Sequence, residues 1–274
     1  MLDSNLDLRG RRAVVTGASS GIGRALALEL AREGCDLVVA ARREDRLDEL
    51  AKELVALGVR AELVAVDLAA PGGVDRLVAA ATSAPVHVLV NNAGVGLYGP
   101  FRDQSWAEKR AVLMLNVVAL TELTHHFVGH MLAHGQPSGI LNVSSISAFQ
   151  ATPSFAVYGP SKSYVRDFSE SLAYELADAN VRVTCLCPGG TVTEFSDHAG
   201  QTLKGVAEHV MMDAEDVARI GIRALRRGRR TVVAGGVNKV STLVTRFMPR
   251  RVSAWMADFA MRQAVDVADP TKRD

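Results

Sequence analysis

The chain has 274 residues, with 31 Lys and Arg against 30 Asp and Glu and a net charge of +1 with histidines neutral. With 48% hydrophobic and 22% charged residues it is too apolar for wholesale disorder, and it is long enough to bury a core without disulfide or metal staples. The even charge balance speaks against a dedicated nucleic-acid binder, no apolar run approaches the ~18 residues that span a bilayer, and residues 1–12 lack the apolar stretch of a secretory signal.

Short apolar runs alternate with helical patterns along the chain. Residues 13–15 read as a strand and 22–33 as an Ala- and Leu-rich helix. Residues 36–41 are a second strand, and 44–57 a helix with Leu47, Leu50, Leu54 and Leu57 at helical spacing. A strand at 61–66 and a helix at 74–81, opened by Pro71-Gly72-Gly73, come next. Then follow a strand at 86–90, a long helix over 106–134, a strand at 140–143, a helix over 155–177 and a strand at 181–187. The last pair is a helix over 214–226 and a strand at 231–234. The strands are apolar throughout rather than alternating, which marks a parallel sheet covered on both sides. The pattern predicts an α/β fold, a doubly wound Rossmann-type parallel sheet of about seven strands with helices on both faces. No linker or internal repeat divides it. One domain over 1–274 is expected, with a core of about 8–235 and a C-terminal helical extension over 236–274.

Cys35, Cys185 and Cys187 cannot build a disulfide framework and are expected to be reduced, buried thiols of a cytoplasmic protein. Cys185 and Cys187 sit two apart on one predicted strand, where neighbours cannot easily bridge.

The first strand runs into Thr16-Gly17-Ala18-Ser19-Ser20-Gly21-Ile22-Gly23, which opens the first helix. A dinucleotide pyrophosphate rests at such a place, on backbone N–H groups and a helix N-terminus. The spacing is G-x-x-x-G-x-G rather than G-x-G-x-x-G. Where an NAD enzyme carries an acid for the ribose 2′-hydroxyl, the second strand ends in Ala40-Ala41-Arg42-Arg43, and no acid follows before Glu44. Arg42 can pair bidentately with a 2′-phosphate, with Arg24 and Arg43 as weaker candidates, so NADP(H) is expected ahead of NAD(H).

The glycine segment, Asn91-Asn92-Ala93-Gly94, Asn116, Ser145, Tyr158 with Lys162, and Pro188-Gly189 stand in the order seen in short-chain dehydrogenases/reductases, which the chain resembles from about residue 8 to 234. Tyr158 and Lys162 are four apart, on one face of a helix. A nearby ammonium would lower the phenol pKa. The resemblance implies that Tyr158 donates a proton to a substrate carbonyl as hydride arrives, and that Lys162 also binds the nicotinamide ribose. It implies that Ser145 hydrogen-bonds the substrate oxygen, and that Asn116 holds a water linking Lys162 to solvent. For the cofactor it implies contacts from Gly17, Ser19, Ser20, Gly21, Ile22 and Gly23, and from Asp67 and Leu68 near adenine. Asn92, Ala93 and Gly94 would line the adenosine side. Pro188, Gly189, Val192 and Thr193 would flank the nicotinamide. Pro160 departs from the family pattern: in a helix starting near Ser154 it would cost a hydrogen bond and shift Tyr158.

His126, His130 and His134 fall at i, i+4 and i+8, with His125 beside them. They read as the polar face of a helix near its C-terminus, and no metal site is expected. The basic run at 223–230 reads as a solvated helix end stopped by Gly228, without a nucleic-acid partner. Met248, Val252, Trp255, Met256 and Phe259 make an apolar stripe flanked by Arg246, Arg250, Arg251 and Arg262. Pocket or subunit packing ranks ahead of a membrane-surface role for it.

The pattern therefore predicts an NADP(H)-dependent oxidoreductase interconverting a ketone or aldehyde and an alcohol. Its pocket is expected at 96–98, 147–152 and 191–210, lined by Leu97, Tyr98, Phe149 and Phe195 and suited to a moderately bulky apolar substrate. The resemblance implies a homodimer or homotetramer paired through the Asn116 and Tyr158 helices. The rival readings are a catalytically silent NADP-binding sensor or scaffold, and an epimerase or dehydratase on the same fold.

Overall fold

Strands that are apolar on both faces persist only where both faces are covered. In a computed structural model, which describes residues 5–195, 199–203 and 211–267, that cover is in place. The strands are β1 (Arg12–Thr16), β2 (Asp36–Ala41), β3 (Ala61–Ala65), β4 (Val88–Asn91), β5 (Ser138–Val143), β6 (Val181–Cys187), β7 (Gln201–Leu203), β8 (Thr231–Val233) and β9 (Val265–Val267). Seven of them form one sheet in the order β3-β2-β1-β4-β5-β6-β8, and every neighbouring pair is parallel.

One face is packed by α1 (Gly21–Arg32) and α2 (Glu44–Ala56), which contribute Leu26, Leu30, Leu47, Leu50 and Leu54. The other is packed by α3 (Gly73–Ala81) and by a long helix. That helix comprises α4 (Trp106–Leu113), a π-helical stretch (Met114–Ala119) and α5 (Leu120–His134). Ser105 starts it with a reciprocal capping box to Glu108, and Gly135, in the left-handed region at φ 66°, ends it. By length and composition this helix could cross a membrane, contrary to the expectation that no run is long enough. Leu123, Phe127 and Met131 are instead fully buried against the sheet.

Farther along lie α6 (Tyr158–Glu175), α7 (Ala214–Arg226), α8 (Gly236–Phe247) and α9 (Arg250–Ala264). α7 completes the first face through Val217, Ile222 and Leu225. The elements expected at 36–41, 181–187 and 214–226 have those bounds. The other bounds shift by a few residues, two of them for visible reasons. The helix expected from 155 begins at Tyr158, because Ser154 sits at φ 66° and Val157 is the first residue to turn into the helix. The strand expected from 86 begins at Val88. The Val86 N–H donates to His130 Nε2 (3.1 Å) and its carbonyl pairs with His134 Nε2 (3.0 Å), so histidine side chains take the place of a ladder. The histidine stripe is thus partly spent on backbone. His126 lies apart from that arrangement, near Asp75 and Glu122. The extension is not wholly helical: β9 returns to pair antiparallel with β7, Gln201 opposite Val267.

The strand order reverses between β1 and β4, so the chain leaves their carboxyl ends in opposite directions and a crevice opens there. The ends of β1, β4, β5 and β6 all face it.

The core that holds this layer together gives a direct test. Phe127→Ala, at a fully buried position, should lower stability by about 3–5 kcal/mol in urea unfolding, whereas Leu132→Ala on the exposed side of the same helix should change it by less than about 1 kcal/mol.

Candidate active site

The glycine loop follows β1 and is braced from β4. Thr16 Oγ1 donates to Val90 O (3.1 Å) and accepts from the N–H groups of Asn92 (3.0 Å) and Ala93 (3.1 Å). Asn92 Nδ2 donates back to Thr16 O and Gly17 O. One threonine and one asparagine thereby tie the ends of two strands together across the crevice. The loop has no room for side chains at its turn. Gly17 sits at φ 65°, and a Cβ on Gly23 would lie 2.2 Å from Gly17 O and 2.3 Å from Asn92 Nδ2.

The crevice holds a cavity of about 680 Å³. Its wall includes Gly17, Ser19, Ser20, Gly21, Ile22, Gly23, Arg42, Arg43, Asp67, Leu68, Asn92, Ala93, Gly94, Ser145, Tyr158, Lys162, Pro188, Gly189 and Thr193. Of the residues expected to contact cofactor or act in catalysis, three are not in that wall: Val192, Asn116 and the weaker candidate Arg24, which pairs with Glu53. Val192 is 59% exposed, and its N–H donates to Met212 O at 3.0 Å. Asn116 lies behind the wall, buried in the π-helical stretch. Its Oδ1 accepts from Val95 N–H (2.9 Å), and its Nδ2 donates to Val95 O and to Ser161 Oγ, each at 3.0 Å. The extra residue of a π turn re-aims a side chain that a regular helix would point elsewhere.

The two arginines differ. Arg43 already bonds Ser19 Oγ, Ser20 Oγ (2.8 Å) and the Glu194 carboxylate (2.9 Å). Those contacts hold the Glu194 carboxylate ionised, below its ordinary pKa. Arg42 is exposed at the cavity and has no ion pair or side-chain hydrogen bond among the described residues.

Tyr158, Ser145 and Lys162 converge at the inner end. Ser145 precedes a 3-10 turn and accepts from Ser147 N–H at 3.1 Å. Tyr158 is the first residue of α6, and Lys162 stands one turn on with Nζ 5.8 Å from the Tyr158 ring centre. Lys162 Nζ donates to Val143 O (2.9 Å) at the end of β5. Both side chains are buried. Burial pushes the Tyr158 phenol up to about 12, against a smaller downward pull from its hydrogen bond with Ser145. The direction is opposite to the expected lowering: burial raises the phenol, and the opposing pull comes from Ser145 rather than from Lys162. Burial likewise brings Lys162 down to about 8. Pro160 is harmless, because it is the third residue of a helix that starts at Tyr158, where no intrahelical partner would be donated to.

Aromatic rings surround the phenol. Phe155 and Phe195 lie 4.9 and 5.3 Å from it between ring centres, and Tyr98 packs edge-on to Phe155. Met261 of α9 closes this group. Leu97 and Tyr98 are buried outside the wall. Phe149 faces a different cavity, under the Arg166 guanidinium at 4.9 Å. Residues 196–198 and 204–210 of the expected pocket lie outside the described residues. Sequence reasoning missed Phe155, Met211, Asn238 and Met261 as wall residues. Only Met261 left a trace: Ser253, Ala257 and Met261 recur every fourth residue opposite the apolar stripe. Cys185 and Cys187 are unbridged, 3.7 Å apart between sulfurs, and Cys35 is a buried free thiol pushed up to about 12 by burial.

The sequence model of the family described as short chain dehydrogenase matches residues 11–204. The chain is 36% identical over 231 residues to 1-deoxy-11-beta-hydroxypentalenate dehydrogenase of Streptomyces exfoliatus, covering 82% of each. It is 35% identical over 227 residues to glycine betaine reductase ATRR of Emericella nidulans, but spans only 18% of that protein. Among solved structures, a short-chain dehydrogenase from Sphingobium yanoikuyae in complex with NADPH superposes with a TM-score of 0.77 at 27% identity, over 92% of this chain and 94% of its own. Another similar structure is a complex with NAD.

The buried lysine makes stability depend on pH. Below pH 8 both folded and unfolded chains hold the Lys162 proton, and the folded one bears the whole cost of burying it. From about 8 to 10.5 only the unfolded chain keeps the proton, so stability rises with pH. Lys162→Met should therefore stabilise the cofactor-free protein by about 1–3 kcal/mol at neutral pH, with the gain shrinking above pH 8, in urea titrations across that range. A loss of stability at neutral pH with no pH slope would contradict this account.

Proposed function

The chain belongs to the short-chain dehydrogenase/reductase family, and on that premise we propose that it is an NADP(H)-dependent oxidoreductase interconverting a ketone and a secondary alcohol of moderate, apolar bulk. The observation that carries this reading is the meeting of Tyr158, Ser145 and Lys162 at the inner end of a cavity whose outer end is the glycine loop.

The residues fit the dinucleotide. The turn at Gly17 and Gly23 is a cradle that a Cβ would fill, and the N-terminus of α1 opens onto the same cavity. Arg42, uncommitted and at the rim, favours the 2′-phosphate of NADP(H). Arg43 must exchange Glu194 to join it. When bound, the cofactor supplies or accepts the hydride.

The protein's own part is proton handling and orientation. Tyr158 gives its phenolic proton to the substrate oxygen in the reducing direction and takes it back in the oxidising one. Ser145 donates to the same oxygen and steadies its developing negative charge. A phenol raised to about 12 stays protonated until needed, which suits a donor. Lys162, brought down to about 8, can pass a proton on near neutrality. Asn116 is a positioning residue: it holds Val95 and, through Ser161, the first turn of α6. Its Oδ1 and Lys162 Nζ both lie against Gly94, where a water would link them. Phe155, Phe195, Tyr98 and Met261 make the surround of the phenol apolar, which supports an apolar substrate. We read the chain as one domain with a C-terminal extension, cytoplasmic, and paired with itself through the helices that carry Asn116 and Tyr158. On those helices Trp106, Val118 and Tyr164 are exposed.

Tyr158→Phe should lower turnover by about 10²–10⁴-fold and leave NADPH affinity within about twofold; turnover that survives would remove the proposed proton donor. Arg42→Ala should raise KM for NADPH by about tenfold or more and leave KM for NADH nearly unchanged, followed by nicotinamide absorbance with a graded panel of ketones. Equal losses with both cofactors would remove the 2′-phosphate role.

A further inference from the structure

Residues 217–257 contain ten Lys and Arg and no Asp or Glu, in a chain whose net charge is only +1. The remainder therefore carries a net −9, and the molecule is strongly polarised. Of the ten, Arg219 pairs with Asp216, Arg226 pairs with Glu33, and Arg230 lies over the Tyr174 ring. The other seven, Arg223, Arg227, Arg229, Lys239, Arg246, Arg250 and Arg251, hold no ion pair or side-chain hydrogen bond among the described residues. Five of them border one open cavity between α7, β8 and α8. Its one carboxylate, Glu170, is bonded by Thr231 Oγ1 at 2.6 Å.

The same stretch is apolar outside. Of the nineteen large apolar side chains that are exposed among the described residues, nine fall between Val237 and Phe259. α8 buries none of its residues. At 3.6 residues per turn, Val237, Val240, Val244 and Phe247 share one side of it, Lys239 and Arg246 the flank, and Leu243 the seam between. α9 has two faces. Its inner face seats Ala257 and Met261 inside, and Ser253 Oγ donates to Gln150 Oε1 (2.9 Å). Its outer face should be polar in a helix that meets water, yet it presents Val252, Trp255, Met256 and Phe259, with the Trp255 and Phe259 rings stacked at 5.9 Å.

We propose that α8 and α9 form a docking surface for an anionic lipid bilayer, their outer apolar side chains entering the headgroup–acyl boundary and the seven uncommitted cations meeting lipid phosphates. This places a membrane role ahead of the pocket-or-subunit packing expected for the stripe, because the pocket takes only the inner face of α9. Charge decides against a second copy of the chain: a two-fold interface would set the same cations against themselves, with Asp258 the one acid on α8 and α9. A nucleic acid would satisfy the cations but leave the exposed valines and leucine without cover. Interfacial helices combine these two properties, an apolar face with aromatic residues and a basic border. Met261 makes the docked helix also the roof over the proposed substrate cavity, so an apolar substrate dissolved in the bilayer would meet the enzyme there. That consequence rests on the proposed reaction, whereas the docking does not.

Sedimentation of the full chain, loaded with NADPH, with vesicles of phosphatidylcholine alone or with one-third phosphatidylglycerol tests the docking without using activity. Binding should be at least about tenfold stronger to the anionic vesicles and should weaken as salt is raised. In a Trp106→Phe background, Trp255 emission should shift to the blue on binding. The pair Phe247→Ser and Trp255→Ser should weaken binding by about tenfold or more. The pair Arg250→Glu and Arg251→Glu should erase the preference for phosphatidylglycerol. Circular dichroism and NADPH affinity, unchanged in both variants, show that the fold is intact. Three results would overturn the proposal. The first is equal sedimentation with both vesicles that neither variant alters. The second is vesicle-independent self-association of the wild type that the Phe247→Ser and Trp255→Ser pair abolishes. The third is retention on single-stranded DNA with none on vesicles.

Discussion

A buried amine sets the terms for everything around it. Lys162 Nζ sits in a surround that withdraws water, fixed by the Val143 carbonyl at the end of β5. An ammonium in such a place is costly, and the site is arranged to hold one anyway. Gly94 leaves space beside it, Asn116 stands behind, and α6 starts late enough that Tyr158 and Lys162 share its first turns. The same withdrawal of water raises the phenol and lowers the amine. Two groups that ordinarily titrate close together are thereby driven to opposite sides of their usual values, which is what the proposed proton donor and its resupply require of one another.

That arrangement depends on topology more than on any one contact. The strand order reverses at β1 and β4, and a single hydroxyl, Thr16 Oγ1, joins the two strand ends. The glycine loop and the segment that faces it are thereby tied to one another. Carboxyl ends of β5 and β6 then bring Ser145 and Pro188 to the same crevice. Chemistry sits where the sheet cannot close over itself.

The C-terminal helices show a different logic. Most of the surface follows the usual rule that what faces water is polar. Between Val217 and Ala257 the rule lapses: acids are absent and large apolar side chains turn outward. The inner face of α9 is ordinary packing against the aromatic group at Tyr158. Its outer face adds nothing to that packing, and its composition answers to something beyond the fold.

Local pattern alone determined much of this protein. Period and punctuation located the strands and helices, with bounds at β2, β6 and α7 matching the structure. The glycine spacing, the two arginines after β2 and the Ser145, Tyr158 and Lys162 set were visible because each depends on near neighbours along the chain. Tertiary structure alone decided the rest. Helix α6 begins at Tyr158 because of a left-handed Ser154, and that places Pro160 where it costs nothing. Histidine side chains from α5 shorten β4. Arg43 is taken by Glu194, more than a hundred residues away, which leaves Arg42 free. Phe155 and Met261 wall the cavity in place of Phe149 and Leu97. The phenol rises rather than falls because burial, a property of the whole surround, outweighs the one hydrogen bond from Ser145. Periodicity and motifs record interactions between residues close in sequence, whereas desolvation and cavity shape are sums over residues that only the fold brings together.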